Sequence, residues 1–321
     1  MRDTGGLFDL TSGPEDIGHG GESGSAVESA LQAVLDWFRG HRDLQARFGS
    51  VFRQSFDEVL DGQRTGRFDI DDLAKTEKTY LGTKVEIVTR AAFELSKGIK
   101  MDYEVAGHDI DAKFSLTGAW AIPTEAMGHL CLLMSANDRK STFDVGVIRI
   151  RPEILNQGRN KDHKTTITKQ AKASIAWLAR NAPLPHNLLL SLPCTTVDRI
   201  MSAGSGQRKI NELLRSVQGQ LIDRNAAVTV AQQQDGLKRC RDARRHLRPE
   251  GIAVLGHQND SPKIARALRL PVPPKGTFLS VRLVEVPVGT TDRPVADIAE
   301  RGYAIARPGE AVQPLPDNIH Y

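Results

Sequence analysis

Residues 102–115, DYEVAGHDIDAKFS, contain the most informative local pattern in this chain. Two runs of alternating apolar and polar residues, 101–105 and 108–115, flank the dipeptide Ala106-Gly107. Such alternation is typical of β-strands, and a two-residue connection that contains glycine favours a tight turn. We therefore predict an antiparallel hairpin in which the two residue numbers of each directly opposed pair add up to 213, as for residues 102 and 111.

The predicted register brings acidic side chains together. Asp102 lies opposite Asp111, and both side chains then project from the same face of the hairpin. Lys113 shares that face because it follows Asp111 by two residues. Two neighbouring carboxylates repel each other unless a cation lies between them, and Mg²⁺ prefers carboxylate and phosphate oxygens. Glu86, on a helix predicted over residues 84–96, can complete the acidic cluster.

This arrangement of upstream acidic residues and a D-x-K motif is typical of metal-dependent nucleases. The metal ion and Lys113 would stabilise charge on the scissile phosphate and favour deprotonation of an attacking water. The alternative is a solvent-exposed hairpin with alternating charges, because Glu104 and Asp109 belong to the same face. A D-x-K motif alone does not decide between the two, since short motifs match by chance.

The length of 321 residues predicts two domains. Frequent glycines without an apolar pattern predict a flexible N-terminal arm, and two prolines in a short polar stretch predict a linker. A helix is predicted near residues 165–179. The predicted units are the arm at residues 1–25, a first domain at 26–178, the linker at 179–186 and a second domain at 187–321.

Charge is distributed unequally between the two halves. Residues 1–178 contain 23 basic and 26 acidic residues, a net charge of −3, whereas residues 179–321 contain 20 and 13, a net charge of +7. The asymmetry favours a module in the second half that binds a polyanion. A solvated surface whose charges are uneven by chance is the alternative interpretation.

The basic residues of the second half form two groups. A cluster between Lys238 and Arg245 fits contact with phosphates, and two cations follow the glycine-rich turn 204–206. The alternatives are a solvated helix face and a plain turn. The candidate DNA contacts are Arg208, Lys209, Lys238, Arg239, Arg241, Arg244 and Arg245.

Cysteine usage and hydropathy indicate the compartment. Three dispersed cysteines without a C-x-x-C pair argue against a zinc ribbon and fit a reducing cytosol. No apolar run approaches the ~18 residues of a membrane span, and the N-terminus lacks a secretory pattern. We therefore expect a cytoplasmic protein that does not bind membranes.

The chain resembles the NaeI family of type II restriction endonucleases. The similarity is carried by long strings in both halves and is weak or absent in the arm, over about 137–186 and beyond about 290. The matching strings include LDGQRTGRFDIDDLAKTEKTYLGTKVEI (60–87), DYEVAGHDIDAKFS (102–115), INELLRSVQGQLI (210–222), TVAQQQD (229–235) and LRPEGIAVLGHQND (247–260).

The resemblance implies an α/β (α+β) protein. Its first domain would have a restriction-endonuclease-like mixed-sheet core, and its second would be a helix-turn-helix domain of the catabolite-activator type. The family's catalytic positions fall on Glu86, Asp102, Asp111 and Lys113, and the first three would ligate Mg²⁺. Met101 stands where this class often has proline, which is not a ligand.

The resemblance also implies partners. A homodimer would cleave double-stranded DNA at the palindrome GCCGGC, with a second DNA copy bound as effector. A paired DNA methyltransferase and a bacterial cytoplasm complete these expectations. Two other functions remain open at this point: a non-catalytic DNA-binding protein with a vestigial nuclease site, and a nuclease that nicks one strand.

Overall fold

The computed structural model of the chain describes residues 24–158 and 164–321. The arm predicted at residues 1–25 lies outside them, apart from its last two residues, which begin the first helix. In the first half, the helices are α1 (Gly24–Arg39), α2 (Leu44–Leu60), α3 (Gly62–Thr65) and α4 (Lys75–Ala92). None of the helices in the described part of the chain is long and apolar enough to cross a membrane.

Helix α4 begins nine residues before the predicted position 84. The Glu77 carboxylate accepts the N–H of Ala74 at 2.8 Å, which satisfies a backbone donor at the start of the helix. The same carboxylate receives two hydrogen bonds from Arg67, at 2.8 and 3.0 Å. The helix ends just before Glu94, whose φ of 53° is left-handed and cannot continue an α-helix.

The predicted hairpin consists of β1 (Tyr103–Val105) and β2 (His108–Ser115). Tyr103 pairs with Ile110 and Val105 with His108, so the predicted register is confirmed. Ala106 and Gly107 both have positive φ, 50° and 78°, as in a type I′ turn. The twist of this turn matches that of the flanking strands and fixes their pairing.

The hairpin belongs to a mixed five-stranded sheet that also contains β4 (Leu130–Asn137), β5 (Thr142–Arg149) and β7 (Ala176–Pro183). The strand order is β1-β2-β4-β5-β7. Strands β2 and β4 are parallel, and the other neighbours are antiparallel. A small separate sheet pairs β3 (Ala121–Ile122) with β6 (Thr165–Thr166).

Both faces of this sheet are buried, which explains the nearly continuous apolar run LCLLM in β4. Leu132 and Met134 join the core formed with helices α1, α2 and α4. Cys131 and Leu133 alternate with them and join a second cluster with Trp120 on the opposite face. Asp111 and Lys113 share this second face, since Asp111 pairs with Cys131 and Lys113 with Leu133.

The prediction of a helix near residues 165–179 was wrong. The segment contains β6, a short 3₁₀ turn at Ala171–Ser174 and the start of β7. Ile167, Ala171 and Ile175 are four residues apart and are all buried, which imitates helical spacing, but extended chain carries them into the same apolar cluster. Strand β7 also extends the first sheet into residues 179–183, which were predicted as linker.

The second half combines helices with a second sheet. Its helices are α5 (Leu188–Ser191), α6 (Cys194–Met201), α7 (Gly206–Ser216), α8 (Arg224–Ala231), α9 (Gly236–Leu247) and α10 (Ser261–Ala267). Its strands are β8 (Leu221–Ile222), β9 (Ile252–Leu255), β10 (Phe278–Glu285), β11 (Val295–Ile298) and β12 (Arg301–Ile305). Strand β10 pairs with β8, β9 and β12, and β12 pairs with β11.

Helices α8 and α9 are joined by the four residues 232–235 and pack closely. A Cβ atom on Gly236 would lie 2.9 Å from the Cα of Val228, so the first residue of α9 has to be glycine for this approach. The two helices share a core with α7, which contains Ile210, Leu214, Val230, Cys240 and Ala243. The arrangement leaves one side of α9 open to solvent.

The two halves have separate apolar cores, and a polar junction connects them. The Asn187 amide donates to the Phe68 carbonyl at 2.8 Å and to the Asp138 carboxylate at 3.1 Å. Asp138 is fully buried and also receives a hydrogen bond from Arg53 at 2.7 Å. A carboxylate of the first half therefore anchors the segment that leads into the second.

Candidate active site

Three of the four predicted catalytic residues meet at the hairpin. The Lys113 Nζ lies 2.8 Å from Asp111 Oδ1 and 3.8 Å from Asp102 Oδ2. Asp102 directly precedes β1, and its Oδ2 accepts the backbone N–H of Ala112 at 2.8 Å. This hydrogen bond ties Asp102 to the strand that carries the other two side chains, so the predicted juxtaposition is present in the fold.

Glu86 approaches the same charges from helix α4. The Tyr103 hydroxyl donates to the backbone carbonyl of Glu86 at 2.9 Å and thereby fixes the helix against β1. Burial, assisted by the nearby carboxylates Asp102 and Asp111, raises the pKa of Glu86 to about 7, whereas Lys113 opposes the shift. Glu86 is thus electrostatically coupled to the other three residues.

The Asp111 carboxylate is held on both oxygens. Lys113 donates to Oδ1 and the Cys131 thiol lies 3.6 Å from Oδ2. Burial raises the pKa of Asp111, against the opposing effect of Lys113. Burial also raises the pKa of Cys131, next to the Asp111 charge, so Cys131 stays a neutral thiol and donates its weak hydrogen bond. Asp111 therefore has little freedom to turn.

Lys113 supplies the positive charge that the paired aspartates require. Burial lowers the pKa of Lys113, but Asp111 and Asp102 outweigh this effect, and the net shift is upward. Its Nζ also donates to the Ala112 carbonyl at 2.8 Å, which holds the ammonium close to the strand. The lysine is consequently charged at neutral pH, between two carboxylates.

The donor set suits a hard divalent cation. Glu86, Asp102 and Asp111 offer carboxylate oxygens, the ligands that Mg²⁺ prefers, and one lysine does not neutralise three carboxylates. Burial is the main cause of the raised pKa of Glu86, and repulsion from Asp102 and Asp111 adds to it. Within the described residues, no three acidic, histidine or cysteine side chains form a ready-made metal cage, so a bound cation would draw the carboxylates together.

The proposed alternative for the hairpin, a set of outward charges, does not apply to Asp109. Its two carboxylate oxygens accept the backbone N–H groups of Ile99 and Lys100 at 2.8 and 3.0 Å. The residue fixes the loop before the hairpin. Glu104, its strand partner, is exposed. Asp109 therefore has a structural role and Glu104 is exposed to solvent, whereas Asp102 and Asp111 belong to the cluster around Lys113.

Of the basic residues predicted on α9, three are exposed. Lys238, Arg241 and Arg245 follow one another at intervals of three and four residues and therefore lie along one side of the helix. Arg241 also borders a cleft of about 1300 Å³ between the two halves. This side of α9 is free to contact a polyanion.

The other two arginines of α9 are engaged within the protein. Arg239 pairs with Asp235 at 3.2 Å. The Arg244 Nε donates to the Val254 carbonyl at 3.1 Å, and its guanidinium lies 4.4 Å from the ring centroid of Tyr321. Burial lowers the pKa of Arg244. Arg244 thus holds the C-terminal segment rather than facing solvent.

The pair at the start of α7 is also divided. Arg208 is exposed, whereas the Lys209 ammonium donates to the Gln232 side chain at 2.6 Å. Lys209 therefore supports the connection between α8 and α9. The sequence alone could not distinguish it from its neighbour, because its partner lies in another element.

Sequence reasoning missed Cys131 as a neighbour of Asp111. The contact exists only because β4 lies parallel to β2, in the register that places residue 131 beside residue 111. A parallel neighbour is not apparent from an apolar run alone. The role of Tyr103 in fixing α4 was missed because its hydrogen-bond partner, the Glu86 carbonyl, lies in a helix 17 residues earlier in the chain.

The mixed sheet with helices on one face is consistent with a restriction-endonuclease-like fold. The family model of restriction endonuclease NaeI matches residues 39–314. The chain is 42% identical over 281 residues to the type II restriction enzyme NaeI of Lentzea aerocolonigenes, and the match covers 84% of this chain and 88% of that enzyme. These findings define a restriction endonuclease with double-stranded DNA as its substrate.

The chain belongs to the NaeI family. It is therefore a type II site-specific deoxyribonuclease, and the predicted resemblance is confirmed. Type II restriction enzymes generally use a divalent metal ion. The family also favours the enzymatic interpretation over a DNA-binding protein with a vestigial site.

Proposed function

We propose that the enzyme hydrolyses both strands of a short palindromic DNA site with Mg²⁺ as its cofactor, held by Glu86, Asp102 and Asp111. The observation that carries this proposal is the position of Lys113 between Asp102 and Asp111, whose charges also act on the buried Glu86 of helix α4. When bound, Mg²⁺ supplies a Lewis acid that stabilises charge on the scissile phosphate and lowers the pKa of water.

The residues of the chain perform the remaining tasks. The Lys113 ammonium stabilises negative charge on the phosphate as it develops and helps to orient the attacking water. The Ala112 N–H holds Asp102, and the Cys131 thiol holds the second oxygen of Asp111. These partners hold Asp102 and Asp111 beside Lys113 before the cation and the substrate arrive.

The second domain contributes a further DNA-binding surface in this proposal. We assign α8 and α9 to a helix-turn-helix of the catabolite-activator type. Their four-residue connection, the exposed Lys238, Arg241 and Arg245, and the net charge of +7 in residues 179–321 support the assignment. Arg208, at the start of α7, is exposed as well and is kept as a candidate contact.

The finer assignments follow the family. We propose the recognition sequence GCCGGC, a second DNA copy bound by the second domain as effector, a homodimer whose twofold axis matches the palindrome, and a paired DNA methyltransferase. The domains are proposed at residues 26–178 and 187–321, joined at 179–186, with the first sheet continuing to residue 183. A cytoplasmic location is proposed with them.

A plasmid assay tests the activity. The purified protein is incubated with plasmid and Mg²⁺, and in parallel with EDTA. We expect discrete linear fragments with Mg²⁺ and none with EDTA. Sequencing the ends of the fragments gives both the recognition site and the cut position. Open circles without linear product would assign a nicking enzyme. Intact DNA that shifts in a gel would overturn cleavage and leave DNA binding.

A further inference from the structure

A second groove lies on the face of the first sheet that carries Lys113. It has a volume of about 790 Å³ and begins where β2 and β4 end. Ser115 follows Lys113 by two residues on the same face, roughly 7 Å further along the strand. Ser115 pairs with Ser135, which lines the groove. The groove therefore begins next to the end of the strand that carries Asp111 and Lys113.

Two tryptophans form its apolar wall. Trp120 is buried, and its indole N–H donates to the Met134 carbonyl at 2.8 Å. Trp177 is half-buried beside Gly146, where an added Cβ would lie 2.9 Å from the indole ring. The glycine thus provides the space in which Trp177 lies against the strand.

Cations line this wall. The Lys172 ammonium lies 5.4 Å from the ring centroid of Trp120 and donates to the Gly118 carbonyl at 2.7 Å. The Arg180 guanidinium lies 5.5 Å from the ring centroid of Trp177. Each cation–aromatic contact holds a positive charge at the groove without neutralising it.

Three groove cations have no carboxylate partner among the described residues. They are Lys140, Lys169 and Arg180, and all three are exposed. The groove also contains Asp144, but its oxygens accept from the Asn181 N–H at 2.6 Å and the Ser135 hydroxyl at 3.4 Å. The groove consequently presents an excess of positive charge.

The segment of residues 164–172 connects the positive charge of the groove to the catalytic cluster. Lys164 is close enough to Glu86 for its charge to act on that carboxylate. The segment then pairs with β3 next to Trp120 and reaches Lys169 and Lys172 at the groove. Positive charge therefore extends from the reacting centre along one side of the sheet.

We propose that this groove binds the sugar-phosphate backbone of the substrate DNA next to the scissile bond, through Lys140, Lys169 and Arg180. The inference rests on the proposed function, because it names where the substrate of that site lies. Phosphate contacts position a duplex without reading its sequence. The groove accordingly determines substrate affinity and placement, while base recognition belongs to other residues.

The test uses the full-length protein with K140Q, K169Q and R180Q combined in one variant. The cleavage rate on a short duplex gives KM and kcat between 50 and 200 mM salt. Loss of three phosphate contacts lowers the salt slope by about 0.9 per contact, so the KM of the wild-type protein should rise about 40-fold more than that of the variant over this range. The value of kcat should change less than about twofold, since the contacts are the same in substrate and transition state.

The matched control is R42Q. Arg42 is exposed in the loop between α1 and α2, on the opposite, helical side of the sheet, and no ion pair involves it in the described part of the chain. Its removal should leave KM and the salt slope unchanged. An equal response in R42Q and the triple variant would reduce the effect to net charge and overturn the proposal.

Neutral DNA linkages localise the contact. A duplex with methylphosphonates flanking the scissile bond should weaken cleavage by the wild-type protein but add little to the defect of the triple variant. Full additivity would place the three cations elsewhere and contradict the proposal. An unchanged salt slope with an altered sedimentation coefficient would assign the groove to a subunit contact and contradict it too.

The design separates this inference from the proposed function. If the wild-type protein binds the duplex but does not cut it, the proposed activity fails. The same salt series, followed by fluorescence anisotropy, then still decides whether the triple variant loses phosphate contacts. A triple variant that cleaves and binds with the wild-type salt slope overturns the groove assignment while leaving the nuclease intact.

Discussion

Replacing Lys113 should affect DNA cleavage and DNA binding differently. Its ammonium contacts Asp111 and lies within 3.8 Å of Asp102, so it belongs to the cluster that would surround the scissile phosphate. We expect Lys113→Ala to reduce kcat by roughly 10²- to 10³-fold, the usual effect of removing one electrostatic donor. DNA affinity, measured by gel shift, should change little.

The control for this prediction is Glu104→Gln. Glu104 lies on the same hairpin but is exposed and faces Asp109 in the ladder. The Glu104→Gln variant should cleave DNA like the wild-type protein. Retained cleavage in Lys113→Ala, or an equal loss in Glu104→Gln, would show that the cluster is not the catalytic centre.

Asp57 makes the stability of the protein depend on pH. Burial raises the pKa of Asp57 to about 6, against the opposing charge of Arg53. Because the folded pKa exceeds the unfolded one, Asp57 favours folding at low pH, and this contribution disappears as the pH rises through about 6. Above this pH, the ionised side chain costs about 3 kcal/mol, an order-of-magnitude value from the size of the shift.

The expected result is that Asp57→Asn is more stable than the wild type at pH 7.5, with the difference shrinking towards pH 4. Urea unfolding at several pH values measures it. Asp43→Asn is the control, because Asp43 is 60% exposed and also forms an i,i+4 pair with an arginine. A wild-type advantage that increases between pH 5 and 7.5 would contradict the assignment.

The turn of the β1–β2 hairpin contains a residue, Ala106, whose backbone conformation is unfavourable for its side chain. Ala106 has a φ of 50°, a left-handed value that costs an alanine about 1 kcal/mol. Asparagine tolerates it better and precedes glycine in many type I′ turns. We expect Ala106→Asn to stabilise the protein by about 0.5–1 kcal/mol in thermal or urea unfolding.

Gly107→Ala is the opposite change in the same turn. Gly107 has a φ of 78° with no atom near an added Cβ, so the substitution tests backbone strain rather than a clash. It should destabilise the protein by about 1 kcal/mol. If both substitutions have the same sign, the turn is not of type I′.

Helix α9 offers a test of the second DNA-binding surface. Replacing Lys238, Arg241 and Arg245 by glutamine should reduce the salt slope of DNA binding by up to about 0.9 for each phosphate contact. Arg244→Gln should leave the slope unchanged, because its guanidinium contacts Tyr321 and Val254 instead of solvent. It should lower the melting temperature. Reversed effects would move the contact surface to the other side of the helix.

The elements also explain which expectations the sequence could support. The hairpin was predictable because its pairing is local and a two-residue turn leaves one register. The strand at residues 176–183 was not, because buried residues four positions apart imitate a helix and only the neighbouring strand reveals the ladder. Arg244 was taken for a DNA contact because its partners lie in distant segments. A local sequence pattern therefore predicts local geometry, whereas pairing between distant segments is apparent only in the three-dimensional structure.

In the molecule as a whole, the backbone of Gly62 in the first half packs closely against the Thr229 side chain of the second. A Cβ on Gly62 would lie 2.2 Å from the Thr229 Oγ1 of α8 and 2.8 Å from the Arg67 carbonyl. We expect Gly62→Ala to destabilise the protein by about 1–3 kcal/mol, the usual cost of overpacking. Urea unfolding measures this change.

Two further variants make the prediction specific. Thr229→Ala removes the nearer of the two obstacles and should restore part of the stability in the double variant. Gly82→Ala, in helix α4 with open space around the added Cβ, should instead be neutral or stabilising. Equal losses in Gly62→Ala and Gly82→Ala would exclude a contact specific to the junction.

The local nature of the hairpin has a consequence for how the enzyme is made. Asp102, Asp111 and Lys113 lie within twelve consecutive residues, and a β-hairpin closes in about 1–10 μs. The parallel pairing with β4, which brings Cys131 to Asp111, has to close a longer loop. The charged triad can consequently assemble early on the folding pathway and be buried later. Pulse-labelling hydrogen exchange during refolding should protect the amides of β1 and β2 before those shared with β4.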